Sequence, residues 1–250
     1  MSRWSRSSPL SAELTRDAFL SGRVMLAQPA RGYRAGLDAV MLAAAVEAPP
    51  GARLLELGCG AGAALLCVAA RAPGAALVGV EKQPAMAALA RANASDHAAA
   101  DRVEIVEADV TALGDVGVFD GAFFNPPYFN PGEGLTSPHA QKRGSAEIGE
   151  PLEAWIKAAA NRLRGGAALS IVHQASALPN LLAGLDGRLG GVEVAPLWPR
   201  AGHPAKRILV RARKGSRAPL TLHPGLVLHD ADGFTPAARA ILADGAAFAW

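Results

Sequence analysis

Apolar residues along the chain fall in short runs separated by glycine, proline and polar breaks, and their spacing predicts alternating strands and helices. Residues 53–57, 76–81, 103–108, 119–124 and 167–173 read as strands rich in Leu, Val, Ile, Phe and Ala. Runs lacking the regular polar positions of a half-exposed strand predict a sheet buried on both faces. Helical spacing marks 63–71, 84–94 and 152–163, and an earlier apolar helix at 39–48 is closed by Pro49-Pro50-Gly51. This order predicts an α/β fold with a doubly wound, mostly parallel, Rossmann-like sheet. Two more strands, 192–197 and 207–213, joined by 198–206, predict a hairpin and so an antiparallel last strand. Past Arg217 the pattern gives a short strand, a turn at 230–233 and a helix from Pro236.

A chain of 250 residues suits one domain, read as an N-terminal extension (1–50), a core (51–217) and a C-terminal tail (218–250). No run approaches the roughly 20 apolar residues that span a bilayer. The N-terminus lacks the apolar stretch and cleavage site of a secretory signal, so a cytoplasmic location and no membrane contact are expected. Cys59 and Cys67 read as buried free thiols, and the scattered histidines have no zinc-like spacing, so no metal is expected. The formal net charge of +3 is mild, but Arg200, Lys206, Arg207, Arg211, Arg213, Lys214 and Arg217 follow one another without an acid. That excess suits phosphate contacts or, equally, a solvated strand face.

Gly58-Cys59-Gly60-Ala61-Gly62 lies where the first core strand turns into its helix, so its backbone can approach a ligand closely and aim amides at it. Taken alone, the run would also serve a nicotinamide or flavin cofactor. Acids at the ends of successive strands sharpen it, because open α/β sheets bind ligands at the carboxyl ends of their strands. Glu56 precedes the loop, Glu81 ends the second strand and Asp109 follows the third. Glu81 is placed to accept the two hydroxyls of a ribose, Asp109 to take an adenine amino group, and Glu56 to offset a cationic ligand group. The pattern Glu56-x-Gly58-x-Gly60-x-Gly62 with these partners resembles class I S-adenosylmethionine-dependent methyltransferases over about 53–172, which implies S-adenosyl-L-methionine as cofactor.

Asn125-Pro126-Pro127-Tyr128 ends the fourth strand, beside the crevice those acids define. Two prolines fix the torsions and remove two amide donors, leaving a rigid corner rich in acceptors. An exocyclic amine conjugated to a ring has little lone-pair density on nitrogen. Accepting its two hydrogens at the Asn125 side-chain oxygen and the Pro126 carbonyl reverses this in part and orients the nitrogen. Tyr128, extended by Phe129, offers a stacking platform worth about 1–3 kcal/mol for a nucleobase. Asn125, Pro126 and Tyr128 are the candidate catalytic residues; Asn125, Pro127, Tyr128 and Phe129 are the candidate acceptor contacts, and Asn125 borders the cofactor as well. The motif resembles the signature of amino-methyltransferases acting on adenine in DNA and RNA, on guanine N2 and on release-factor glutamine.

Residues 28–42, with Gly32-Tyr33-Arg34-Ala35-Gly36-Leu37-Asp38, the turn at 125–129 and Ala205-Lys206-Arg207-Ile208-Leu209-Val210 resemble the bacterial tRNA1(Val) adenine-N6 methyltransferase family. The resemblance implies adenine in RNA, tRNA first, as acceptor, and Tyr33, Gly36 and Asp38 as cofactor contacts. Ala35 and Leu37 replace the family's usual aromatic and Thr, and Cys59 and Ala61 stand where the loop more often has Thr. The segment 130–150, with His139, Lys142 and Arg143, is expected to act as a lid over the target. An rRNA guanine-N2 methyltransferase, a protein glutamine methyltransferase and a non-catalytic RNA-binding protein on this scaffold stay open. Against the glutamine enzymes, which usually carry a helical N-terminal domain, only about fifty residues precede the glycine loop. The oligomeric state is not legible.

Overall fold

The computed structural model describes residues 13–32, 34–127 and 151–250. Tyr33, Tyr128, Phe129 and the expected lid with His139, Lys142 and Arg143 lie outside them. The described chain opens with β1 (Leu14–Phe19) and β2 (Val24–Pro29), an antiparallel hairpin, followed by α1 (Leu37–Ala45). Alternation then sets in: β3 (Arg53–Leu57), α2 (Ala63–Arg71), β4 (Ala76–Glu81), α3 (Pro84–Ser95), β5 (Val103–Glu107) and β6 (Phe119–Phe124). After these come α4 (Leu152–Arg162), β7 (Leu163–Gln174), α5 (Leu178–Leu185), β8 (Leu189–Arg200) and β9 (Arg207–Lys214). The last elements are β10 (Thr221–Leu222), β11 (Leu226–Asp230), β12 (Gly233–Phe234) and α6 (Pro236–Leu242).

Among the described residues one sheet runs in the order β12-β11-β8-β9-β7-β6-β3-β4-β5, with β10 also paired to β8. Strands β5, β4, β3, β6 and β7 are mutually parallel, and β9 is antiparallel to both β7 and β8. The expected α/β sheet and its antiparallel strand are therefore present. That strand sits between its two neighbours, and β11, parallel to β8, carries the sheet outward beyond it.

Continuous apolar runs arise because both faces of each central strand are covered. Leu54, Phe123, Val172 and Leu209 pack on the side of α1 and α2, while their neighbours Leu55, Phe124, Ile171 and Val210 pack on the side of α4 and α5. One residue of strand thus buries one side chain on each face in turn. By the same alternation Glu56 falls on the α1 and α2 face, under the first turn of α2. Both cysteines are free and buried, and burial pushes the Cys67 thiol up to about 12. No helix among the described residues is long and apolar enough to cross a membrane.

The run of cations near the C-terminus is mostly consumed within the fold. Arg211, 9% exposed, donates to both carboxylate oxygens of Glu193 at 2.7 and 2.8 Å and to Glu47 at 2.8 Å, with the Trp250 ring 4.3 Å from its guanidinium. Arg213 also binds Glu47, and Lys214 donates to the Ala160 and Leu163 carbonyls at 2.7 and 2.8 Å. These three pair within the fold, because carboxylates and carbonyls remote in sequence fold onto them. Lys206 and Arg217 are exposed.

Candidate active site

The loop between β3 and α2 needs its glycines for two separate reasons. Gly58, Gly60 and Gly62 have φ of +66°, +55° and +91°, the left-handed region that side chains with a Cβ resist. At Gly58 a Cβ would also stand 2.5 Å from the ring of Trp155, which rises from α4 and lies against Phe124. The turn is pinned to the next strand: the Cys59 N–H donates to the Val80 carbonyl at 2.9 Å. Gly79 allows this, since a Cβ there would be 2.9 Å from both the Cys59 Sγ and Leu65.

Glu81 ends β4 against this loop. Its Oε2 accepts from the Gly60 N–H at 2.9 Å and its Oε1 from the Gln83 N–H at 2.8 Å. Each oxygen keeps a further lone pair. Glu56 is 3% exposed, and its Oε2 has no hydrogen-bond partner. Burial pushes its carboxyl well above the usual range, the Leu65 N–H opposes that shift, and the nearby Glu81 charge adds to it. An orphaned buried carboxylate oxygen beside a second carboxylate is costly for an empty protein and suits a cationic ligand.

Asp109 follows β5 and caps a short 3-10 turn, its Oδ1 accepting from the Thr111 N–H at 2.8 Å and hydroxyl at 2.7 Å. Its Oδ2 faces Lys82 at 3.3 Å, and the Thr111 bonds, then Lys82, hold its carboxyl below the usual range. The capping role that such an acid often plays is realised here, with one oxygen turned to a cation. Asn125, Pro126 and Pro127 leave the end of β6, the strand beside β3; Pro126 is buried and Asn125 half-buried. Asp38, in the first turn of α1, is tied by its Oδ2 to the Arg207 Nε at 2.9 Å. That pair lies at the start of β9.

Two residues with no motif to announce them complete the arrangement. Trp155 forms the floor under Gly58. Asn93 of α3, 4% exposed, accepts from the Ala27 N–H and donates to the carbonyls of Ala27 and Ala61, all at 2.9 Å. It thus ties the N-terminal hairpin to the glycine loop. An amide on an otherwise alanine-rich helix face was the available signal, because such a residue is a poor helix former unless its side chain has work elsewhere.

S-adenosylmethionine carries a sulfonium, an ammonium and a ribose diol, and these residues fit it. The orphaned Glu56 oxygen suits the cationic part, and the spare lone pairs of Glu81 suit the diol. Strand order, glycine loop and acid-ended strands together define a class I S-adenosylmethionine-dependent methyltransferase. A family model described as the methyltransferase small domain matches residues 36–195, and the chain belongs to that family. A protein from Porphyromonas gingivalis named tRNA1(Val) (adenine(37)-N6)-methyltransferase is 30% identical over 234 residues, covering 87% of this chain and 90% of that one. The match to a protein of the same name from Yersinia enterocolitica is 36% identical but spans 39% of this chain and 40% of that one. Among solved structures, a predicted O-methyltransferase from Agrobacterium tumefaciens superposes with a TM-score of 0.72 at 32% identity, covering 85% of this chain and 99% of that one. The T. thermophilus 16S rRNA N2 G1207 methyltransferase, in complex with AdoMet and guanosine, shares the fold with a TM-score of 0.55 at 22% identity, covering 84% and 53%.

Proposed function

We propose that this methyltransferase acts on RNA and modifies the exocyclic amino nitrogen of adenine, in tRNA before other RNAs. The observation that carries this reading is the Asn125-Pro126-Pro127 corner at the end of β6, next to the strand that bears the glycine loop. An amide oxygen and a prolyl carbonyl accept N–H bonds. Neither takes a proton from a hydroxyl, so this corner favours a nitrogen acceptor over the oxygen in the name of the Agrobacterium neighbour. The tRNA adenine methyltransferase of P. gingivalis, matched over most of both chains, supports the base and the RNA. A cytoplasmic location goes with such a substrate.

When bound, S-adenosylmethionine supplies an electrophilic methyl group. Glu56 holds its cationic end, Glu81 its ribose hydroxyls, Asp109 its adenine amino group, and Gly58, Gly60 and Gly62 let the loop backbone come close. Asp38, together with Tyr33 outside the described residues, borders the same cofactor. Asn125 and Pro126 accept the two hydrogens of the target amine and fix its lone pair in one direction, while Pro127, Tyr128 and Phe129 hold the plane of the base. Positioning and charge complementarity then account for the rate, with no covalent intermediate on the protein.

Incubation with radiolabelled S-adenosylmethionine and either unmodified tRNA, rRNA or a release factor, followed by nucleoside analysis, tests this. Label in N6-methyladenosine from tRNA is expected. Label in guanosine or in protein alone would reject the proposed acceptor. Asn125→Ala is expected to lower kcat by about 10²–10³-fold, the usual cost of one hydrogen-bonding group aimed at a reacting centre, with cofactor affinity retained. Loss of both activities together would reassign Asn125 to the fold.

A further inference from the structure

A groove of about 540 Å³ opens at the far end of the sheet, lined by Trp198, Ala201, Gly202, His203, Pro204 and Val227. Its volume lies in the range of small-ligand sites. Its place in the topology gives it meaning. Because β7 and β8 are each antiparallel to β9, they run the same way, and the carboxyl end of β8 at Arg200 shares an edge with the ends of β6 and β7. β11 is parallel to β8 and ends at the same edge. With about 4.8 Å between adjacent strands, the groove lies about 14–19 Å from the Asn125 corner along that edge.

We infer that this groove receives an unpaired base flanking the methylated nucleotide, so that the RNA is held at two points along one edge of the sheet. The inference rests on the RNA reading above and deepens it. Trp198 and Val227 are register partners, and since Leu197 and Leu226 pack on the α1 and α2 side, this pair faces the opposite side, where it floors the groove. The Trp198 indole N–H donates to the Pro224 carbonyl at 2.9 Å, so the ring is already fixed and little freedom is lost when a base stacks on it. Cations flank the groove. Arg200 and Lys206 are both exposed at the two ends of the hairpin tip, and Arg200 rests on the Asp230 backbone carbonyl, which leaves its charge intact. No acid occurs from 194 to 229. An aromatic floor flanked by one lysine and one arginine is the arrangement that holds single-stranded nucleic acid, by stacking on the base and pairing with the phosphates beside it.

The test is steady-state methylation of unmodified tRNA transcripts by the full chain, with calorimetry of S-adenosylmethionine binding alongside. Trp198→Ala is expected to raise KM for the RNA by about ten-fold or more, as removal of a stacking ring does, with kcat and cofactor affinity unchanged. Trp198→Phe should keep most of the affinity. Lys206→Ala should lower the slope of log affinity against log salt by about 0.7–1. Ala201→Glu, at the exposed rim, should raise KM without touching the floor, and so keeps the test alive if Trp198→Ala does not fold. Wild-type KM in Trp198→Ala and Ala201→Glu would overturn the groove assignment alone. A change confined to self-association would do the same and mark the groove as a protein interface. If the wild-type chain binds S-adenosylmethionine but methylates only protein, the RNA reading fails and this inference falls with it.

Discussion

The two halves of the sheet treat charge in opposite ways. In the half formed by β7, β8 and β9, cations abundant in the sequence are matched: Arg211 with Glu193 and Glu47, Arg213 with Glu47, Lys214 with two carbonyls. In the half formed by β3, β4 and β5, acids predominate, yet Glu56 keeps a buried oxygen with no partner and Glu81 accepts only backbone amides. A cluster of charges is therefore a poor guide to a ligand site. A charge the protein itself leaves unsatisfied is a better one, because burial without a partner costs free energy that only a bound ligand returns.

Breaking the matched half should cost stability and spare the site. Arg211→Ala removes the guanidinium shared by Glu193 and Glu47, which keep His223 and Arg213, and a loss of about 1.5–3 kcal/mol is expected, the scale of hydrogen bonds to a charged group. Chemical denaturation measures it, and S-adenosylmethionine affinity in the folded fraction should not move. Breaking the acidic half should do the reverse in emphasis. Gly58→Ala places a Cβ at positive φ against Trp155, with a backbone cost of about 1–3 kcal/mol and, unlike Arg211→Ala, weaker cofactor binding by calorimetry. Lys82→Ala, removing a part-exposed partner of Asp109, should change stability by less than about 1 kcal/mol.

Glu193 and Glu56 also differ in the sign of their pH response. Hydrogen bonds from Arg211 hold the Glu193 carboxyl below its usual range, so its contribution is present above the ordinary carboxylate value of about 4.3. It is lost as pH falls through the lowered folded value. Glu56 is shifted upward: the unfolded chain loses this proton first, so stability declines as pH rises from about 4.3 toward the raised folded value. Glu193→Gln should therefore lose stability relative to wild type at neutral pH and converge with it in acid. Thermal melts across pH would show it.

The parallel core was readable because two-sided burial leaves its mark on every strand, and the glycine loop because positive φ and a ring 2.5 Å from a would-be Cβ permit little else. The N-terminal hairpin gave no such mark. Leu14 and Met25 sit on its outward side at 50% and 47% exposure, which blurs the alternation that would announce a strand. Helix α5 begins Leu178-Pro179-Asn180 and contains Gly184, a weak helix former kept for packing, since a Cβ there would stand 2.7 Å from Ile156. In the basic segment the internal pairs were hidden for a different reason: Arg211 and Glu47 lie 164 positions apart, and no local pattern reports such a pair. At the site, the strand-end acids were legible, but their division of labour was not, because only the fold shows Glu81 and Asp109 already accepting bonds and Glu56 keeping one oxygen bare.

Calorimetric titration of S-adenosylmethionine into wild type and Glu56→Gln, with melts of both free proteins from pH 5 to 8, addresses that bare oxygen directly. Glutamine keeps an acceptor for the Leu65 N–H and removes the charge. The expected result is affinity weakened by about ten-fold, the scale of one charge contact, together with a melting temperature that gains on wild type as pH rises. Unchanged affinity, with a difference in melting temperature that stays flat across pH, would contradict the assignment of Glu56 as the buried charge that the cofactor neutralises.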